Sequence, residues 1–209
     1  MADTTSKDIH GSIQENYFDE YWVGKVGADR SIDWKYLADG ITTVTPKYTD
    51  KKKTAAYYDG GGQESLTVTG VTASYDVSGD RSIGNPAQDD IADMKQKTGG
   101  LRERMFRKVQ WLQNDDGSLQ ANAIETGLGT FSDIDDGGGA ADDNGSFKFT
   151  MTYKTTPAML SNTDTAGLAA ALQDTPSQNA ILLGVKAVDP SQTNNVTPTN
   201  PANGSVPSK

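Results

Sequence analysis

From Ser146 to Lys154 apolar and polar side chains alternate without a break. Phe147, Phe149, Met151 and Tyr153 take one parity, and Lys148, Thr150, Thr152 and Lys154 take the other. A period of two puts the four large side chains on one face of an extended strand, whereas a helix would scatter them around its axis. One such strand cannot stand alone. It needs strands bonded to its edges and an apolar layer against its inner face.

Other stretches supply those neighbours. Arg104 to Gln113 sets Met105, Val109 and Trp111 against Phe106, Lys108 and Gln110, with Arg107 falling among the first set. Both parities are partly apolar, as in a strand covered on either side. Ala121 to Phe131 alternates more weakly. Ile41 to Thr45 is strand-like and is expected to end at Pro46, which has no N–H for a ladder. Across Ser65 to Ser78, Leu66 and Val68 are out of phase with Val71, Ala73, Tyr75 and Val77, so a bulge or turn is expected at Gly70. The run Tyr17, Phe18, Tyr21, Trp22, Val23 reads as a core strand or as a segment filling a neighbour's groove.

One convincing helix is expected, over 86–97. Asn85 suits its N-cap, Pro86 its first turn, and Gln88 the capping-box position, while Gly99 and Gly100 stop it. Asp89 and Asp90 lie early and Lys95 and Lys97 late, as the helix dipole favours. Ala87, Ile91 and Met94 form one narrow apolar stripe. A short helix over 167–173 and a last apolar strand over 180–188 follow. Residues 189–209 are dominated by Pro, Asn, Thr, Ser and Gly and read as a flexible tail or linker.

Between strands, 46–63 reads as a long loop. It carries Lys47, Tyr48, the basic run Lys51, Lys52, Lys53, the pair Tyr57, Tyr58, and Gly60 to Gly62. Loops of that length inside a small domain are usually functional or disordered. The lysine run beside two tyrosines has the look of a nucleic-acid patch. The chain, however, carries a net charge of -9, so docking of a basic loop on an acidic face of an identical subunit is preferred. A contact of that kind propagates head to tail.

Composition narrows the function. Only 34% of the 209 residues are apolar and Gly numbers 22, thin material for a monomeric core, so association with further copies is expected to complete the burial. The acidic balance disfavours coating DNA or anionic lipid. There is no cysteine, hence no disulfide and no thiolate metal site. Met1 to Asn16 lacks the pattern of a signal peptide, and no apolar run is long enough to span a bilayer, so no membrane partner is expected.

No catalytic constellation is visible, and no enzyme is expected. His10 is the one histidine and sits in a polar leader, which leaves no nucleophile–base pair. Gly60 to Gly62 lacks the lysine and hydroxyl residue that a phosphate loop needs. Asp133, Asp135, Asp136, Asp142 and Asp143 suggest a calcium loop, but an EF-hand register puts Gly139 at position seven and Asn144 at position twelve. A solvated hairpin connection is expected there, and neither cofactor nor metal site.

The order of motifs resembles a known family. Trp34 to Leu37, Asp39-Gly40-Ile41-Thr42-Thr43-Val44-Thr45-Pro46 and Tyr57-Tyr58-Asp59-Gly60-Gly61-Gly62 look like the first half of major tail tube proteins of siphophages that infect Gram-positive bacteria. Val68-Thr69-Gly70, Tyr75 to Gly79 and Gly84 to Asp89 continue it, and Gly137 to Thr152 resembles the late hairpin of that family. The likeness covers residues 30–155.

It implies a mainly β fold, a sandwich or half-barrel with one flanking helix, a long inter-strand loop and extended arms at 1–30 and 156–188. It further implies hexameric rings stacked into a tube, with 46–63 reaching the next ring. The implied partners are further copies, tape measure, tail tip and tail terminator proteins, and viral DNA in transit without specific binding. Assembly would take place in a bacterial host cytoplasm. The competing reading is another β-sandwich virion component, such as a capsid decoration protein; a secreted carbohydrate-binding module is disfavoured by the N-terminal segment.

Overall fold

A computed structural model describes residues 15–114, 117–161 and 164–173. His10 and the strand and tail expected over 180–209 lie outside the described residues. Eight strands form one antiparallel sheet: β1 (Glu20–Val26), β2 (Ile32–Tyr36), β3 (Ile41–Ala56), β4 (Glu64–Asp80), β5 (Glu103–Gln113), β6 (Leu119–Asp136), β7 (Ser146–Tyr153) and β8 (Ala158–Ser161). Their order across the sheet is β2-β1-β5-β6-β7-β4-β3, and β8 pairs with the half of β6 that β7 leaves free. The fold is thus mainly β, as expected, with all of these strands joined in one sheet. Two helices accompany it, α1 (Pro86–Ala92) and α2 (Thr165–Gln173).

Each face of the sheet has its own core. Val23, Tyr75, Val77, Phe106, Phe131, Phe147, Phe149 and Met151 pack with Ala87, Ile91 and Met94. Trp22, Val109, Trp111 and Ile124 pack on the other side with Leu168 of α2. Neighbours in sequence such as Trp22 and Val23 part to opposite faces, as the pleat requires. That is why both parities of β5 are apolar, and Arg107 fits the second face because its guanidinium lies 4.2 Å from the Trp34 ring.

Asn85 caps α1, its Oδ1 accepting from the amides of Ala87 and Gln88. The regular helix ends at Ala92, short of the expected Lys97. Met94, Lys95 and Lys97 donate to carbonyls three residues back, a tightening typical of helix ends. Gln88 does not reach back as a capping-box residue. It is fully buried, donates to the Asp39 and Asp80 carbonyls and accepts from the Ser82 amide, tying α1 to the base of β3–β4. Asp90 and Arg104, both mostly buried, join α1 to β5 through hydrogen bonds of 2.8 and 3.0 Å.

The arm expected over 1–30 is not an arm from Glu20 onward, since β1 lies inside the sheet between β2 and β5. Its aromatic residues find partners within the chain, and the core-strand reading holds for Tyr21 to Val23. At the other end of the sheet, Gly79 allows β4 to cross the turn before β3. A Cβ there would strike the Gly40 carbonyl and the Ile41 Cα.

Candidate assembly surface

The largest departure from expectation falls on a highly exposed segment. Residues 46–63 are not a loop: β3 continues to Ala56, a short 3-10 turn spans Tyr58–Gly60, and β4 returns from Glu64. Pro46 does not end the strand because, among the described residues, β3 is an edge strand with a neighbour on one side only, where a missing N–H is tolerated. Gly61 and Gly62 adopt positive φ, 63° and 83°, and reverse the chain.

β7 supports β4 only over Ser74–Asp80. From Ala73 back to Glu64, β3 is the sole strand paired to β4 among the described residues, so the two project as a ribbon. Eight residues from Thr49 to Ala56 reach roughly 25 Å at ordinary strand rise. A free two-stranded ribbon is marginal in water. This one is anchored by being continuous with core strands.

Its register explains what the ribbon displays. Lys51 pairs with Gly70 and Lys52 with Val68, leaving Thr69 as the extra residue of a bulge, where its hydroxyl donates to the Lys51 carbonyl. The bulge restores the phase. Leu66 and Val68 therefore stand on the same face as Val71, Ala73, Tyr75 and Val77, the face that makes the core. Burial nevertheless stops at Ala73, and Val71, Val68 and Leu66 are 60%, 50% and 59% exposed. A core-type apolar stripe runs off the end of the domain with no described residue over it.

Lys51 and Lys53 stand on the opposite face, Lys52 flanks the stripe, and all three are exposed without an ion pair among the described residues. Lys47 differs, because it pairs with Asp76 on β4. That partner, followed by the Thr150 hydroxyl, holds the Asp76 carboxyl below its ordinary range. Tyr57 precedes the tip and is half-exposed, while Tyr58 is fully exposed. Between 47 and 56, four lysines against Asp50 give 4 - 1 = +3, on a chain whose total is -9. The structure thus brings Lys47 to Lys53 onto one strand and the two tyrosines to its end. Ala87, Ile91 and Met94 are kept apart from them, fully buried against the sheet.

Among the described residues the sheet ends in unpaired borders, β2 on one side and the long β3 on the other, and open borders of this kind accept further strands. At the base of the ribbon, β4 parts from β8 and leaves a cleft whose floor is Glu125 of β6. Glu125 looks like an ordinary polar residue in a weak alternation, and nothing local marks it as buried. Of the acidic run, Asp133, Asp135 and Asp136 belong to the end of β6, where Asp133 takes φ 50° at a bulge between Ser132 and Asp135, and only Asp142 and Asp143 lie in the connection over 137–145. Among the described residues no three His, Asp or Glu side chains converge as a metal site, and no helix is long and apolar enough to cross a membrane.

No protein-family model matches the chain, and no curated protein sequence matches it. Solved structures do share its fold. A chain from the tail of an empty gene transfer agent particle, a structure obtained with helical refinement and C6 symmetry, superposes with a TM-score of 0.54 at 13% identity. The match covers 71% of this chain and 100% of that one. A chain from the sheath/tube terminator of an extracellular contractile injection system in its extended state gives 0.51 at 12% identity, over 73% and 99%. The chain thus has the fold of proteins found in tail and tube assemblies.

Proposed function

We propose that this chain is the structural, non-enzymatic subunit of a viral tail tube, polymerising as stacked hexameric rings through which DNA reaches a host. The observation that carries this reading is the ribbon over 49–71: a core-type apolar stripe and a free basic run, held out from a domain whose sheet borders are also open. Lateral pairing of β2 and β3 borders would close a ring, and the ribbon would dock on the next ring. The shared fold with a gene transfer agent tail chain supports the choice of a tube over other virion parts.

Charge fits the passage of DNA. Six copies carry 6 × -9 = -54 per ring, so a polyanion slides through without adhering. By the same resemblance, tape measure, tail tip and terminator proteins would be the further partners, in the tail of a siphophage of a Gram-positive host. Negative-stain electron microscopy of concentrated protein tests the proposal. Rings or tubes about ten nanometres across, the width that six domains of this size enclose, are expected. A dispersed monomer or a closed trimer at every concentration refutes it.

A further inference from the structure

Glu125 is 6% exposed, yet half of its carboxylate is unsatisfied. Oε2 accepts from the Tyr75 hydroxyl at 3.1 Å and, at the limit of a hydrogen bond, from Tyr48 at 3.5 Å. Oε1 has no partner. The Tyr153 hydroxyl faces the same carboxylate closely enough for the two to interact, but it makes no well-formed hydrogen bond there. Burial first, and the charge of Glu125 second, push the Tyr75 and Tyr153 phenols well above their ordinary range, so both stay protonated. An uncompensated buried carboxylate is costly to a fold. The chain leaves this one at the floor of an open cleft of about 610 Å³.

Among the described residues no cation reaches it. Lys154, on the rim, is bonded to Glu103 at 2.7 Å, and Lys47 is held by Asp76. The walls are Tyr48, Val71, Tyr153, Pro157 and Met159. Aromatic faces and apolar edges above a carboxylate suit one chemical class, a charged nitrogen on an alkyl stem. The stem lies on the walls, the ring faces attract the charge, and the carboxylate takes a charge-assisted hydrogen bond.

We propose that this cleft is a socket for a lysine of a second copy of the chain, from the run Lys51, Lys52, Lys53. Those lysines are exposed and make no ion pair among the described residues. Beside the cleft, the border of β4 from Glu64 to Ala73 is unpaired among the described residues, so a strand from another molecule can seat there as its side chain enters. The choice of a second copy rests on the assembly reading; the chemistry of the socket does not.

The test uses the full chain and a small probe, n-butylammonium, with Glu125→Gln as the variant. Glu125→Gln keeps the shape and removes the charge, so it folds with a melting temperature equal to or above that of the wild type. Butylammonium shifts the NMR signals of Glu125 and Tyr153 in the wild type and leaves Glu125→Gln unmoved. The concentration at which Glu125→Gln associates rises at least tenfold. A wild type whose cleft signals do not respond to butylammonium overturns the socket. Association of Glu125→Gln at the wild-type concentration overturns this proposal alone, whereas a wild type that binds butylammonium but never associates sinks the second-copy occupant together with the tube reading.

Discussion

Replacing Leu66 with Ser and Val68 with Thr separates assembly from folding. Both side chains are more than or about half exposed, at 59% and 50%, and neither belongs to either core. Fully burying a Leu or Val side chain is worth about 1.5–3 kcal/mol, so covering the exposed half of each contributes about 1 kcal/mol. The pair then supplies about 2 kcal/mol to each ribbon contact, equivalent to about 30-fold in an association constant. Thr keeps strand preference at 68, so the ribbon itself persists. The expected result is an unchanged midpoint in urea unfolding and a critical concentration for tubes, read by pelleting and electron microscopy, that rises about 30-fold. An unchanged critical concentration would mean that the stripe is not covered in the assembly. A lowered urea midpoint would mean that the ribbon face belongs to the fold of the monomer.

Removing residues 51–70 and joining Asp50 to Val71 through Asn-Gly closes the hairpin at a paired position; circular dichroism should show the sheet intact and microscopy should show no stacked tubes. Asp90→Asn removes one partner of the mostly buried pair with Arg104 and should destabilise the protein by about 3 kcal/mol in urea. Burial alone would raise the Asp90 carboxyl, but the hydrogen bonds and charge of Arg104, helped by Lys35 and Lys25, hold it below its ordinary value. A carboxyl lowered by folding adds stability that is present above its unfolded pKa, about 3.9, and is lost as pH falls through the folded value. The gap between wild type and Asp90→Asn should therefore be constant from pH 5 to 8 and narrow below about pH 4; a gap that widens in acid would contradict the assignment. Gly79→Ala should cost about 3 kcal/mol or more, because the new Cβ meets backbone atoms of Gly40 and Ile41 that no rotamer change can move; near-wild-type thermal stability would show that the turn yields.

The sequence by itself determined the local geometry. Alternation over 146–154 fixed a strand with its four large side chains inward, the phase slip around Gly70 called for a bulge or a turn there, and Asn85-Pro86 fixed the start of α1. Each of these depends on contacts a few residues apart, which a chain displays openly in its order of residues. What lay beyond reach depended on which strands become neighbours. Pro46 and the lysines after it read as a break because nothing local reveals that β3 is an edge strand, where a proline and a row of charges are tolerated. Leu66, Val68 and Val71 read as core because their pattern is that of core, and only the early end of β7 at Tyr153 leaves them uncovered. Glu125 became a buried acid only when three tyrosines, at positions 48, 75 and 153, converged on it from separate strands. Long-range pairing decides who covers whom, and the surfaces proposed here for assembly are the places where that cover runs out.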